Sequence, residues 1–202
     1  VTAAIRWGST GALVLTSLAI MGSPGPATIS LTAAGSAYGV RRSLPYLGGI
    51  VTGTAVVLVA VATGITAALL AVPALRVVLL AVSVAYILWL AWHVATAPPL
   101  GPGAPAATGP KFAGGVLFGV ANPKAWVAIA AVFASVRLAD GAAGDAVAKV
   151  AVLSVMIVVI NAAWLGVGAS LAPLLRDPRR SRVVNVALAA ALVVATVFAV
   201  VH

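Results

Sequence analysis

The chain has 202 residues, of which 63% are hydrophobic and 7% are charged, and its mean hydropathy is +1.19. Soluble domains run near half apolar and a quarter charged, so 12 basic and 3 acidic residues are too few to solvate a water-facing surface of this size. The net charge of +9 does not describe a nucleic-acid binder, because the basic residues sit between long apolar runs rather than on a surface interleaved with aromatics.

Six apolar stretches reach the length of about 20 residues that a membrane helix needs. They run from about Gly8 to Ala34, Leu44 to Ala71, Leu75 to Ala95, Phe112 to Val136, Ala146 to Leu171 and Val183 to Val201. None alternates as a barrel strand does, and backbone amides cannot stay unpaired in hydrocarbon, so an all-α membrane protein with six transmembrane helices is expected. The first stretch is longer than a signal-peptide core, so it reads as a span rather than a leader.

Well inside that first stretch lies Pro24-Gly25-Pro26. Each proline lacks an amide donor and clashes with the preceding turn, and glycine adds flexibility, so the helix must break, kink or unwind there. A packing kink and a functional broken helix are both open readings. Gly35-x-x-x-Gly39, Gly49-x-x-x-Gly53 and Gly115-x-x-x-Gly119 are close-packing signatures, within one chain or between copies in a homo-oligomer. Thr54 lies among the polar residues of the second stretch. Tyr86, Trp89, Trp92 and His93 close the third stretch as an interfacial aromatic belt.

Between Pro98 and Pro110 the chain is rich in Pro and Gly, which marks a flexible joint. It divides the chain into a three-helix unit over 1–97, a linker over 98–111 and a second three-helix unit over 112–202, together one membrane domain. Gly22-Ser-Pro-Gly-Pro26 and Gly119-Val-Ala-Asn-Pro123 occupy corresponding places in the two units. Three spans per unit invert the second relative to the first, and interrupted helices at matching places in inverted repeats point to a transporter's binding site.

Asn122-Pro123-Lys124 is the second motif. Asn before Pro starts a helix well, with Pro at the first helical position. Lys124 then adds a positive charge near a positive helix end, which suits a carboxylate. The alternative is a lysine that snorkels to the headgroups. In the fifth stretch Asn161 is an amide in mid-span that wants a partner on another helix.

The connections after the first, third and fifth stretches hold Arg41, Arg42, Lys111, Arg176, Arg179, Arg180 and Arg182; the opposite side holds Arg6, Arg76, Arg137 and Lys149. The positive-inside rule then places both termini outside the cytoplasm. No acid falls in any predicted span, which disfavours a cationic cargo and leaves proton relay without an obvious carboxylate. With no Cys and no catalytic or metal-binding set, neither a cofactor nor a metal is called for, and an enzyme would have to rely on Lys124 or His93. A structural membrane subunit without transport activity is a further alternative.

At Ser23-Pro-Gly-Pro-Ala27, Gly39-Val-Arg-Arg42, Gly49-Ile-Val-Thr-Gly53, Ala85-Tyr-Ile-Leu-Trp-Leu90 and Phe118-Gly-Val-Ala-Asn-Pro-Lys124 the sequence resembles the lysine-exporter and homoserine/threonine-exporter (LysE/RhtB) family. The order and spacing fit over roughly the first two thirds of the chain. The resemblance implies proton-motive-force-driven export of amino acids or close derivatives from the bacterial cytoplasm. It also implies that Pro24, Gly25, Pro26, Asn122, Pro123 and Lys124 belong to a central site. Many relatives, especially those for basic amino acids, carry Asp where this chain has Thr54, so neutral amino acids are the expected substrates and no proton-coupling residue is identified.

Overall fold

The computed structural model describes residues 7–64, 73–96, 109–171 and 177–201. Every regular element among them is an α-helix: α1 (Trp7–Ile20), α2 (Pro26–Ala62), α3 (Pro73–Ala95), α4 (Phe112–Ala121), α5 (Pro123–Ser135), α6 (Ala142–Ser170) and α7 (Pro178–Val201). By length and hydropathy α2, α6 and α7 each suffice to cross a membrane, and α4 with α5 form a fourth candidate bent by 59°. Most of the expected 98–111 linker lies outside the described residues.

The first two predicted spans are divided differently from the expectation. α1 stops at Ile20, residues 21–25 are non-helical, and α2 runs from Pro26 to Ala62. Yet α2 is not a rod. Gly39 has φ 75° and ψ 167°, a conformation cheap only for glycine. Tyr46 Oη donates to Ser30 Oγ at 3.2 Å, although residues that far apart in a straight helix are separated by about 24 Å. Ser43 Oγ also reaches back across the glycine to the Ala34 carbonyl at 3.0 Å. The chain therefore doubles back at Gly39, giving a first limb (26–38) and a second limb (40–62). The expected loop between the spans is a one-residue hinge.

Glycines let these limbs approach their neighbours. A Cβ on Gly49 would lie 2.9 Å from Gly115 Cα, and one on Gly53 would lie 3.0 Å from Gly119 Cα, so the second limb meets α4 backbone to backbone. A Cβ on Gly168 would strike the Thr32 carbonyl and one on Gly35 the Leu165 carbonyl, so the first limb meets α6 in the same way. The 49/53 and 115/119 pairs thus serve packing within one chain. Ile29, Leu31, Tyr46, Phe118 and Leu165 fill one core cluster. Leu13, Val57, Ile129, Leu153 and Ile157 fill another. Val127, Val147 and Val155 stand exposed, a disposition costly in water and favourable toward lipid tails.

Two helices begin a turn or more earlier than expected. α6 starts at Ala142, which brings Asp145 into a candidate membrane helix and corrects the expectation that no span carries an acid. Asp145 Oδ1 accepts from the Leu138 amide at 2.6 Å, and Oδ2 pairs with Lys149 Nζ at 2.7 Å. Lys149 lies 5.0 Å from the centre of the Phe133 ring. This buried pair fastens the α5–α6 connection. α7 starts at Pro178, with Asp177 Oδ1 accepting from the Arg179 and Arg180 amides, so these arginines occupy a helical first turn rather than a loop.

Candidate functional site

The first break spans Met21 to Gly25, and Pro26 opens α2 at its first helical position. Two prolines remove donors here, so the question is where each freed carbonyl finds a partner. Ile20 O accepts from Ser23 Oγ at 2.8 Å. Gly22 O accepts from Trp164 Nε1 on α6 at 3.1 Å. Gly25 O accepts from Thr28 Oγ1 at 3.0 Å and from the Ile29 amide at 2.9 Å. The Gly25 amide in turn donates to Thr28 Oγ1 at 2.9 Å.

Ser23 O and Pro24 O are both taken by one side chain. Lys124 Nζ donates to Ser23 O, to Ser23 Oγ at 2.8 Å and to Pro24 O at 3.1 Å. The Lys124 ammonium thereby bridges the two broken helices.

The second break is a single residue. α4 ends at Ala121, Asn122 has φ −68° and ψ 107°, and α5 begins at Pro123. Asn122 Oδ1 accepts from the Lys124 amide at 3.2 Å, the cap that Asn before Pro leads one to expect. Asn122 O accepts from the Ala125 amide at 3.0 Å. Trp126 Nε1 donates to Val120 O at 2.7 Å, closing the break locally.

Gly25 has a different reason for being glycine than flexibility. Its φ of −166° is ordinary extended backbone. A Cβ there would lie 2.9 Å from Lys124 Nζ and 3.2 Å from Lys124 Cε. The absent side chain is the space through which the lysine stem passes.

Two cavities meet at this junction. A small one of about 50 Å³ is bordered by Gly25, Thr28, Thr54, Asn122, Lys124 and Asn161, room for one or two waters. A larger, mostly apolar one of about 650 Å³ is bordered by Pro24, Pro26, Pro123 and Val127 among others, a volume in the range of small-molecule sites. Gly25 and Lys124 border both. The eight residues singled out from sequence therefore converge on one junction, five on the small cavity and the three prolines on the large one.

The glycine contacts explain the convergence. Gly53 against Gly119 sets Thr54 opposite the second break, and Gly35 and Gly168 seat the first limb on the α6 segment that carries Asn161 and Trp164. Asn161 departs from expectation: its amide nitrogen donates to Ile157 O of its own helix at 2.7 Å, not across helices. Sequence reasoning missed Ser23, Thr28 and Trp164. Ser23 directly precedes the Pro-Gly-Pro motif, and Thr28 follows it by two residues. Trp164 carried no signal, being 142 residues from its partner. Among the described residues no group of three or more His, Cys, Asp or Glu is placed to hold a metal ion.

An all-helical chain with membrane-length apolar helices, and with two proline-opened breaks facing each other across a cavity, belongs to the class of multi-pass membrane translocators. The chain is a member of the LysE type translocator family, which matches residues 11–202. A cysteine/O-acetylserine efflux protein of Salmonella choleraesuis (strain SC-B67) is 43% identical over 76 residues, which make up 37% of this chain and 38% of the relative. Proteins of the same name from Salmonella paratyphi A (strain ATCC 9150 / SARB42) and Salmonella typhi match to the same extent. The matched stretch thus spans well under half the length of these curated relatives. No solved structure matches the chain.

Proposed function

We propose that this protein is a secondary transporter, not an enzyme, that exports neutral amino acids or close derivatives. It works from the cytoplasm across the bacterial inner membrane and is driven by the proton motive force. The observation that carries this reading is Lys124, whose ammonium joins the second break to the carbonyls of the first beside a cavity of about 650 Å³. The family membership and the efflux relatives support the same direction.

In this reading α1 with the first limb of α2 forms one crossing, and the second limb and α3 the next two. The pair α4–α5, α6 and α7 form the other three. The units over 1–97 and 112–202 are inverted repeats joined by the 98–111 linker, and rocking of one against the other alternates access. The substrate carboxylate docks near Pro123, where the positive end of α5 and the side chain of Lys124 favour an anion. The substrate ammonium takes carbonyls of the first break. Thr54, Asn122 and Asn161 line the path. None of the residues bordering either cavity is acidic, so a cationic side chain would find no counter-charge there, which favours neutral cargo. Cysteine and O-acetylserine, for which the relatives are named, have neutral side chains.

Efflux from cells preloaded with a panel of amino acids, with and without this chain and with and without an uncoupler, tests the reading. Faster, uncoupler-sensitive loss of one or a few neutral amino acids is expected. Selective loss of lysine or arginine would overturn the neutral assignment. No change across the panel, with the protein present in the membrane, would overturn amino-acid export.

A further inference from the structure

The Lys124 ammonium has three N–H donors and meets three acceptors: Ser23 O, Ser23 Oγ and Pro24 O. Ser23 Oγ keeps a lone pair for this because its own proton goes to Ile20 O. The donor side is complete. No donor remains on the lysine for a carboxylate, and although each acceptor keeps a second lone pair, another ammonium beside the first would meet like-charge repulsion. None of the three is a carboxylate, so no counter-charge touches the lysine among these acceptors.

Any primary ammonium fits three such acceptors equally well. We propose that Lys124 is a place-holder for the ammonium of the exported amino acid. On entry the substrate's ammonium takes the Ser23–Pro24 acceptors, and the displaced Lys124 ammonium pairs with the substrate's α-carboxylate. This inference rests on the export reading above and adds to it the basis of selection, namely zwitterions with both groups on one carbon. A plain amine would only replace one ammonium by another and leave Lys124 without partners. A plain carboxylate would find no free donor on the lysine. A molecule with both groups restores every bond that the exchange breaks.

The surroundings suit a side chain that moves. Lys124 has a flexible four-carbon stem, it is half-buried, and the stem lies over Gly25, where no Cβ blocks its passage. Lys124, Gly25 and Ala128 border both cavities, so displacement of the lysine opens the small one, where four polar side chains stand among apolar ones, toward the large one. The ammonium of an amino acid then lies at Ser23 and Pro24 on the border of the larger cavity, which also takes its side chain, and Asn122, Thr54 and Asn161 stand beyond Lys124 on the smaller one.

The test is ligand binding to the full chain in detergent micelles. Its probes are L-serine, O-acetyl-L-serine and L-leucine, each paired with the amine left when its carboxylate is removed. In the unsubstituted protein at least one amino acid is expected to bind about tenfold or more tighter than its amine, the size of one charged hydrogen bond. Lys124→Met empties the acceptors, so the amine should gain affinity and the preference should collapse or reverse. Lys124→Gln keeps donors for the carbonyls and serves if the methionine variant does not fold; it should lower the same ratio by about threefold or more. A ratio unchanged by both substitutions, or a loss of amine affinity in either, overturns the place-holder role. If no amino acid of the set binds the unsubstituted protein, while efflux is also unchanged across the panel, the export reading itself falls and takes this inference with it.

Discussion

The two helix breaks come from similar residues and are completed in opposite ways. The first has two prolines and five non-helical residues, and its carbonyls are satisfied by Trp164 and Lys124, 142 and 101 positions away in sequence. The second has one proline and one non-helical residue, and it is closed by its own Asn122 cap and by Trp126. Removing two donors within three residues creates more acceptors than a local turn can cover. The first break is therefore an acceptor surface by construction. The second stays intact by itself and is free to lend Lys124 to the first. Two breaks of equal kind would have supplied either two acceptor surfaces or none.

Three substitutions probe this asymmetry through unfolding by denaturing detergent in mixed micelles. The largest effect is expected for Gly25→Ala, whose methyl group collides with the lysine stem. The flexible stem gives way, so the cost is that of the ammonium losing its bonds to Ser23 and Pro24, about 3 kcal/mol in the unsubstituted background. In a Lys124→Ala background that cost should shrink by about 1 kcal/mol or more, the coupling expected of residues in contact. An equal cost in both backgrounds would detach Gly25 from Lys124.

Trp164→Phe comes next. It keeps the ring but strands the Gly22 carbonyl of the first break, at about 2 kcal/mol. Asn122→Ala should be the mildest, about 1 kcal/mol for a lost cap, because Pro123 still presets the start of α5. A larger loss for Asn122→Ala than for Trp164→Phe would reverse the comparison and make the second break the one that depends on support.

Much of the site was legible because prolines and glycines act locally. Pro24, Pro26 and Pro123 interrupt a helix wherever it packs, and Asn122 caps α5 using only its own neighbours. The glycine pairs 49/53 and 115/119 could be read as contact surfaces, but not as contacts with each other. Asp145 was misplaced by a boundary: α6 begins at Ala142, and one extra turn converts a loop acid into a buried ion pair with Lys149.

From residues alone follow the membrane setting, the helical class, the positions of both breaks and the absence of thiol chemistry, since each depends on composition or on a few adjacent dihedrals. Tertiary structure alone decided that the reversal between the first two spans is a one-residue hinge at Gly39, that Trp164 and Lys124 complete the first break, and that Gly25 is a passage for a lysine stem. These depend on which surfaces meet after the chain has folded back, and the partners lie so far apart in sequence that no local pattern relates them.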